Sequence, residues 1–178
     1  MFIFLGLLIL ACISVSLVSY QTRRLKKKYL LLEKVGSISV KKEKSQNSLK
    51  IFAVDDNPLC LMLIKSIFEQ QGHQVVGTSD KLKAIDLAIS MKPDLILCDL
   101  MQPNLVDGIC VAHVLKSSPQ LSEVPIVALT AWDTEILKSN QEFCRFSFIF
   151  SGVIPKAETE QDCKNLISEA VSYAHPKE

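Results

Sequence analysis

Between Lys50 and Ala174, short apolar runs alternate five times with segments of helical periodicity, and no other feature restricts the fold as much. The runs lie at 51–54, 74–77, 95–98, 126–129 and 153–154, too short for helices and separated by turn residues. Apolar strands alternating with helices predict a parallel sheet covered on both faces. The first helix is predicted to begin at Asn57-Pro58, a capping residue followed by proline at the first helical position. Cys60, Leu63, Ile64, Ile67 and Phe68 form its apolar stripe, and Gly72 stops it. Further helices are expected at 81–91, after a loop holding Pro103 and Gly108 as far as Ser117, and near 134–144. The last helix starts near Thr159, where Asp162 completes a capping box. It turns Cys163, Leu166, Ile167, Ala170, Val171 and Ala174 inward, and no second folded domain is expected beyond it.

Polar residues follow four of the strands: Asp55 and Asp56 after the first, Asp99 after the third, Thr130 after the fourth and Lys156 after the fifth. In an open parallel sheet, ligands bind in the crevice at the carboxyl ends of the strands, so these groups should converge on one pocket. Three carboxylates are hard oxygen donors suited to Mg²⁺, and a cation relieves their mutual repulsion. Asp55-Asp56-Asn57 alone would signify only a helix cap. Its coincidence with Asp99, Thr130 and Lys156 at matching strand ends points to a site for a divalent metal and a phosphoryl group.

Residues 1–20 carry no charged side chain. A helix of that length spans about 30 Å, the thickness of a bilayer's hydrocarbon core. A cleavable secretory signal needs a basic stretch ahead of the apolar one, and nothing basic precedes Phe2. Ile9-Leu10-Ala11-Cys12 only weakly resembles a lipoprotein cleavage site, and the same missing basic start argues against it.

Residues 21–49 hold nine basic and two acidic residues, whereas 50–178 hold eleven basic and seventeen acidic. The basic cluster predicts an uncleaved single-pass membrane anchor, with the acidic body in the cytoplasm. Leu30–Leu32 are expected to extend the anchor helix inward. The linker would contact anionic lipid headgroups at ~1 kcal/mol per basic residue near the surface. No groove-reading helix accompanies the charge, so nucleic acid is not an expected partner. Cys12, Cys60, Cys98, Cys110, Cys144 and Cys163 form no CxxC pair, and mostly buried, reduced thiols are expected rather than disulfides or zinc. The organisation is thus an anchor at 1–20, a basic linker at 21–49, a domain at 50–174 and a tail at 175–178.

Val54-Asp55-Asp56-Asn57-Pro58, Asp99 within the run LCDLMQP, Asp107-Gly108, Leu129-Thr130-Ala131 and Lys156 resemble the receiver domains of two-component response regulators. The resemblance spans residues 50–174. It implies a flavodoxin-like α/β fold with strand order 2-1-3-4-5. It also implies that Asp99 accepts a phosphoryl group from a histidine kinase, a histidine phosphotransfer protein or a small phosphodonor. Asp55 and Asp56 would hold Mg²⁺ with Asp99, and Thr130 and Lys156 would bind phosphoryl oxygens. Drawing those two inward repacks the neighbouring helix and strand, so that the signal passes to a downstream protein by contact. Such a protein is no enzyme beyond its own phosphoryl acceptance. Met101 and Trp132 flank the pocket and control water access in this family. Both are bulky and apolar here, which predicts slow self-dephosphorylation.

Several positions depart from the family pattern. Gln102 stands where methionine usually precedes Pro103, and one extra residue separates Pro103 from Asp107-Gly108. Val153, which would also flank the pocket, occupies the position of a switching tyrosine or phenylalanine. Ala157 replaces the proline after Lys156; a Lys–Ala bond prefers trans by about 2.5–4 kcal/mol, so the reach of Lys156 is expected to differ. Phe143, Phe146, Phe148 and Phe150 crowd the segment between Thr130 and Lys156, consistent either with core packing or with an exposed docking face. The departures keep open a phosphorylation-independent pseudo-receiver, and the receiver end of a hybrid kinase is a further option. Residues 1–49 contain neither histidine nor glycine-rich ATP-binding boxes. A haloacid-dehalogenase-like phosphatase would need an aspartate at Met101, and a flavodoxin would need a phosphate-cradling loop at Asp55-Asp56.

Overall fold

Five parallel strands, β1 (Lys50–Val54), β2 (Gln74–Thr78), β3 (Leu95–Asp99), β4 (Ile126–Thr130) and β5 (Gly152–Pro155), form one sheet in the order β2-β1-β3-β4-β5. This is the predicted topology. The computed structural model describes residues 19–20, 22–23, 25–34, 48–102 and 104–174. Alternate residues of the central strands enter two cores. Ile51, Ala53, Leu95, Leu97, Val127, Leu129 and Ile154 face one core with α2 (Pro58–Gln70) and α7 (Glu160–Ala174). Phe52, Val54, Ile96, Cys98, Ile126 and Ala128 face the other with α3 (Lys81–Met91) and α4 (Leu105–Ser117). Burial on both faces is why these strands read as continuous apolar runs.

The helix signals translate directly into contacts. Asn57 caps α2 by accepting from the Leu59 amide at 3.0 Å, and the five predicted stripe residues are its buried ones. Gly72 ends that turn with φ +88°, a conformation suited to glycine. In α7 the capping box is closed both ways. Thr159 Oγ1 accepts from the Asp162 amide at 3.2 Å, and Asp162 Oδ2 accepts from the Thr159 amide at 2.8 Å.

Gly108 lies inside the first turn of α4 rather than in a preceding loop. Asn104 sets the earlier start, because its Oδ1 accepts from the Asp107 amide at 3.0 Å. A Cβ at Gly108 would meet the Leu100 carbonyl oxygen at 2.2 Å and its carbon at 2.5 Å. Glycine therefore lets α4 press against the backbone just beyond Asp99. Gly108→Ala should cost about 1–3 kcal/mol through overpacking, seen as a lower urea midpoint; an unchanged midpoint would contradict the close approach.

The single helix expected near 134–144 is two, α5 (Thr134–Ser139) and α6 (Gln141–Phe146), followed by a 3-10 turn at Ser147–Ile149. Asn140 breaks it: its extended backbone ends α5, and its Oδ1 caps α6 by accepting from the Phe143 amide at 3.1 Å. The crowded phenylalanines are mostly core. Phe143 is buried and stacks on Phe150 with centroids 5.9 Å apart, and Phe146 packs beside them. Only Phe148 of the four is exposed. Cys60, Cys98 and Cys163 are buried free thiols, whereas Cys110 and Cys144 are exposed ones. Burial pushes the Cys98 thiol up to about 12 and the Cys163 thiol to about 11, so both stay protonated at neutral pH.

Residues 25–34 form a helix, α1. Leu31 is only 5% exposed and belongs to the α2–α7 core, with Leu32 packed against it. Leu31 therefore seats α1 on the domain, where the sequence suggested an inward extension of an anchor. Burying one leucine favours this seating by roughly 1.5–3 kcal/mol. The anchor itself falls on residues 1–18 and on 19–20, of which 1–18 lie outside the described residues. Among the described residues no helix is long and apolar enough to cross a membrane.

Candidate functional site

The strand ends bring the predicted polar residues together. Asp55 and Asp99 are buried, whereas Asp56 is exposed at the rim. Ligand oxygens of all three carboxylates lie within 4.8 Å of one another. Asp99 is fixed at both oxygens: Oδ1 accepts from the Met101 amide at 3.0 Å, and Oδ2 lies 2.7 Å from Lys156 Nζ. Asp55 Oδ1 accepts from the Asn57 amide at 2.9 Å, and Oδ2 is likewise 2.7 Å from Lys156 Nζ.

Lys156 thus reaches both carboxylates with Ala157 in place of the following proline. The backbone explains it. The Lys156 amide donates to the Thr130 carbonyl at 2.7 Å, so the ladder of β4 and β5 continues to the lysine itself. Ala157 then enters the core beneath it. Thr130 is buried, and its hydroxyl oxygen accepts from the Trp132 amide at 2.9 Å, leaving the O–H proton to donate into the site.

The Lys156 ammonium contacts two of three clustered carboxylates. Burial pushes the Asp55 carboxyl above its usual range; Lys156 opposes this and Asp99 adds to it. Burial pulls the Lys156 ammonium down, but Asp55 and Asp99 outweigh it and hold the group above its usual value. Asp55 Oδ2 has no well-angled hydrogen bond beyond its ion-pair contact, so a buried lone pair remains available. Clustered oxygen donors and a spare buried lone pair fit a small hard cation such as Mg²⁺, which takes one or two carboxylates and keeps several waters.

A cleft of about 290 Å³ opens over these groups, lined by Leu25, Lys28, Asp56, Asn57, Cys60, Asp99, Met101, Ala131 and Lys156. Of the predicted flanking residues, Met101 lines this cleft. Trp132 does not, being exposed and linked to the site through its amide on Thr130. Val153 packs into the α3–α4 core rather than standing at the pocket.

Gln102 has a role that its sequence position disguised. Fully buried, its Nε2 donates to the Asp99 carbonyl at 2.7 Å and to the Val54 carbonyl at 3.3 Å. One side chain therefore ties together the strand ends that carry Asp55 and Asp99. A polar residue in an otherwise apolar run was the available signal. Leu25 and Lys28, contributed by α1, had no such signal.

Residues 51–164 match the response regulator receiver domain family, and the chain belongs to that family. It is 35% identical over 95 residues to the polar-differentiation response regulator DivK of Brucella anthropi, an alignment covering 53% of this chain and 74% of DivK. Among solved structures it resembles the chemotaxis response regulator CheY4 of Vibrio cholerae, with 18% identity and a TM-score of 0.57 over 70% of this chain and 99% of that one. The receiver domain of a Pseudomonas aeruginosa sensor histidine kinase, described with a magnesium ion coordinated in its active site cleft, is 21% identical with a TM-score of 0.54. That match covers 71% of this chain and 99% of the other.

Proposed function

We propose that this receiver takes up a phosphoryl group on Asp99 and passes the signal on by protein contact. The observation that carries this reading is Asp99 itself, a buried carboxylate held at both oxygens beside Asp55, Asp56 and Lys156. Its carboxylate oxygen attacks phosphorus on a phosphohistidine, or on a small phosphodonor. A P–O bond forms as the donor's bond to phosphorus breaks, and the departing imidazole takes up a proton. Asp55, Asp56 and Asp99 would hold Mg²⁺, whose charge offsets that of the phosphoryl oxygens during transfer. Lys156 supplies a fixed ammonium for one oxygen, and the Thr130 hydroxyl donates to another.

Receipt from a histidine kinase or phosphotransfer protein follows from the family. The reach of Lys156 favours this reading over a phosphorylation-independent docking module. The test is incubation with acetyl phosphate and Mg²⁺, read by intact mass. Addition of one phosphoryl group is the expected outcome, and an unmodified protein would refute it. Met101 at the cleft narrows the approach of water, so the phospho-form should persist well beyond seconds in Mg²⁺ buffer. Loss within seconds, followed in the same mass assay, would contradict that role.

The reading extends to location. The uncharged stretch 1–20 and the basic residues that follow support an anchor that holds the receiver at the cytoplasmic face of the inner membrane, its linker against anionic lipid. Retention in membranes after an alkaline wash is the expected result; release into the wash would refute it.

A further inference from the structure

Resting on the phosphoacceptor reading, a second cation stands at the pocket. Lys28 of α1 lines the same cleft as Asp99 and Lys156, and it also borders the small gap beneath, beside Asp55 and Ala157. Its ammonium donates to Cys60 Sγ at 2.7 Å and makes no ion pair among the described residues. Sulfur is a weak acceptor, and burial keeps the Cys60 thiol protonated. A half-buried lysine thus rests on an uncharged sulfur at the mouth of a site built for a phosphoryl group. Neighbouring Lys27, by contrast, has an ordinary exposed partner in Glu158 at 2.7 Å. Leu31, one turn further along α1 and buried in the domain core, holds the helix so that Lys28 stays at the rim.

We infer that Lys28 is a second phosphoryl-binding cation, which swings from Cys60 to a phosphoryl oxygen on Asp99. Phosphorylation would then tighten α1 onto the domain, because the new charge-assisted bond joins the two. The linker helix becomes part of the site and part of what phosphorylation changes.

The test uses the full chain with Mg²⁺ and beryllofluoride as the phosphoryl mimic, titrated by fluorescence of Trp132, the single tryptophan. Trp132 is suited to this because its amide bonds the Thr130 hydroxyl. Lys28→Gln should weaken beryllofluoride binding about tenfold, the scale of one charged hydrogen bond. Lys28→Arg should restore most of the affinity. Leu31→Asp, which unseats α1, should match Lys28→Gln, and adding Lys28→Gln to it should change nothing more. Protection of α1 from limited proteolysis should rise with beryllofluoride in the wild type and not in Lys28→Gln. Equal affinity in wild type and Lys28→Gln, with wild type binding normally, overturns the role of Lys28 alone. Failure of the wild type itself to bind beryllofluoride overturns the phosphoacceptor reading instead.

Discussion

Asp99→Asn should abolish phosphoryl uptake from acetyl phosphate and leave the protein folded. In the proposed reaction the carboxylate is the nucleophile, and a neutral amide oxygen neither attacks phosphorus at a useful rate nor helps to bind a cation. The fold should survive because the amide oxygen can still accept from the Met101 amide, and Lys156 keeps its contact with Asp55. Intact mass should show one added phosphoryl group on wild type and none on the variant, while both retain the same circular dichroism. An equal mass shift in the variant would move the acceptor to another residue. Loss of circular dichroism would make the comparison void, and Asp99→Glu would then be needed to separate chemistry from folding.

Asp55→Asn should stabilise the metal-free protein and weaken its response to Mg²⁺. Burial is the main reason why the folded protein holds the Asp55 proton more tightly than the unfolded chain does. The folded state therefore binds more protons in the window that opens at the ordinary value of 3.8 and extends upward to the raised one. Stability falls as pH rises through that window, and the cost persists at neutral pH. The variant lacks that ionisation.

Lys156 argues the other way. Its raised value marks a favourable contact that is present at neutral pH and lost only at alkaline pH, above its ordinary 10.5. The variant keeps most of this contact because the ammonium remains 2.7 Å from Asp99, so the relief of burying a charge at Asp55 should prevail. In wild type, Mg²⁺ at one hundred times its dissociation constant should add about 2.7 kcal/mol. Loss of a ligand should weaken metal binding by at least about tenfold, since even outer partners cost roughly 10–100-fold. Thermal melts with EDTA and with Mg²⁺, from acid to neutral pH, check both halves. A variant less stable than wild type in EDTA, or equally stabilised by Mg²⁺, would show that Asp55 is not the buried ligand.

Much of this site was legible because its parts are local. Asp55, Asp99, Thr130 and Lys156 each end an apolar run, and the alternation with helices makes the sheet parallel, while the strand order came from the resemblance to receiver domains. The stripe on α2 and the capping box of α7 are likewise encoded within a few residues. Where the reading erred, the deciding group acts through a specific bond. Asn140 is polar enough to sit on a helix surface, and its extended backbone and Oδ1 bond to the Phe143 amide divide α5 from α6. Val153 held a family position but packs inward, because the chain around Phe143, Ile149 and Phe150 builds a core against it.

The sequence by itself determined the parallel sheet and the meeting of three carboxylates, a hydroxyl and an ammonium at its carboxyl edge. Strand periodicity fixes which residues end at that edge, and the edge is shared by every strand. Only the tertiary structure decided that Gln102 ties β1 to β3, that Lys156 bridges Asp55 and Asp99, and that α1 brings Lys28 to the cleft. Those contacts join segments far apart in the chain. Their partners are surfaces that exist only after the sheet and its helices have packed, so no local pattern could announce them.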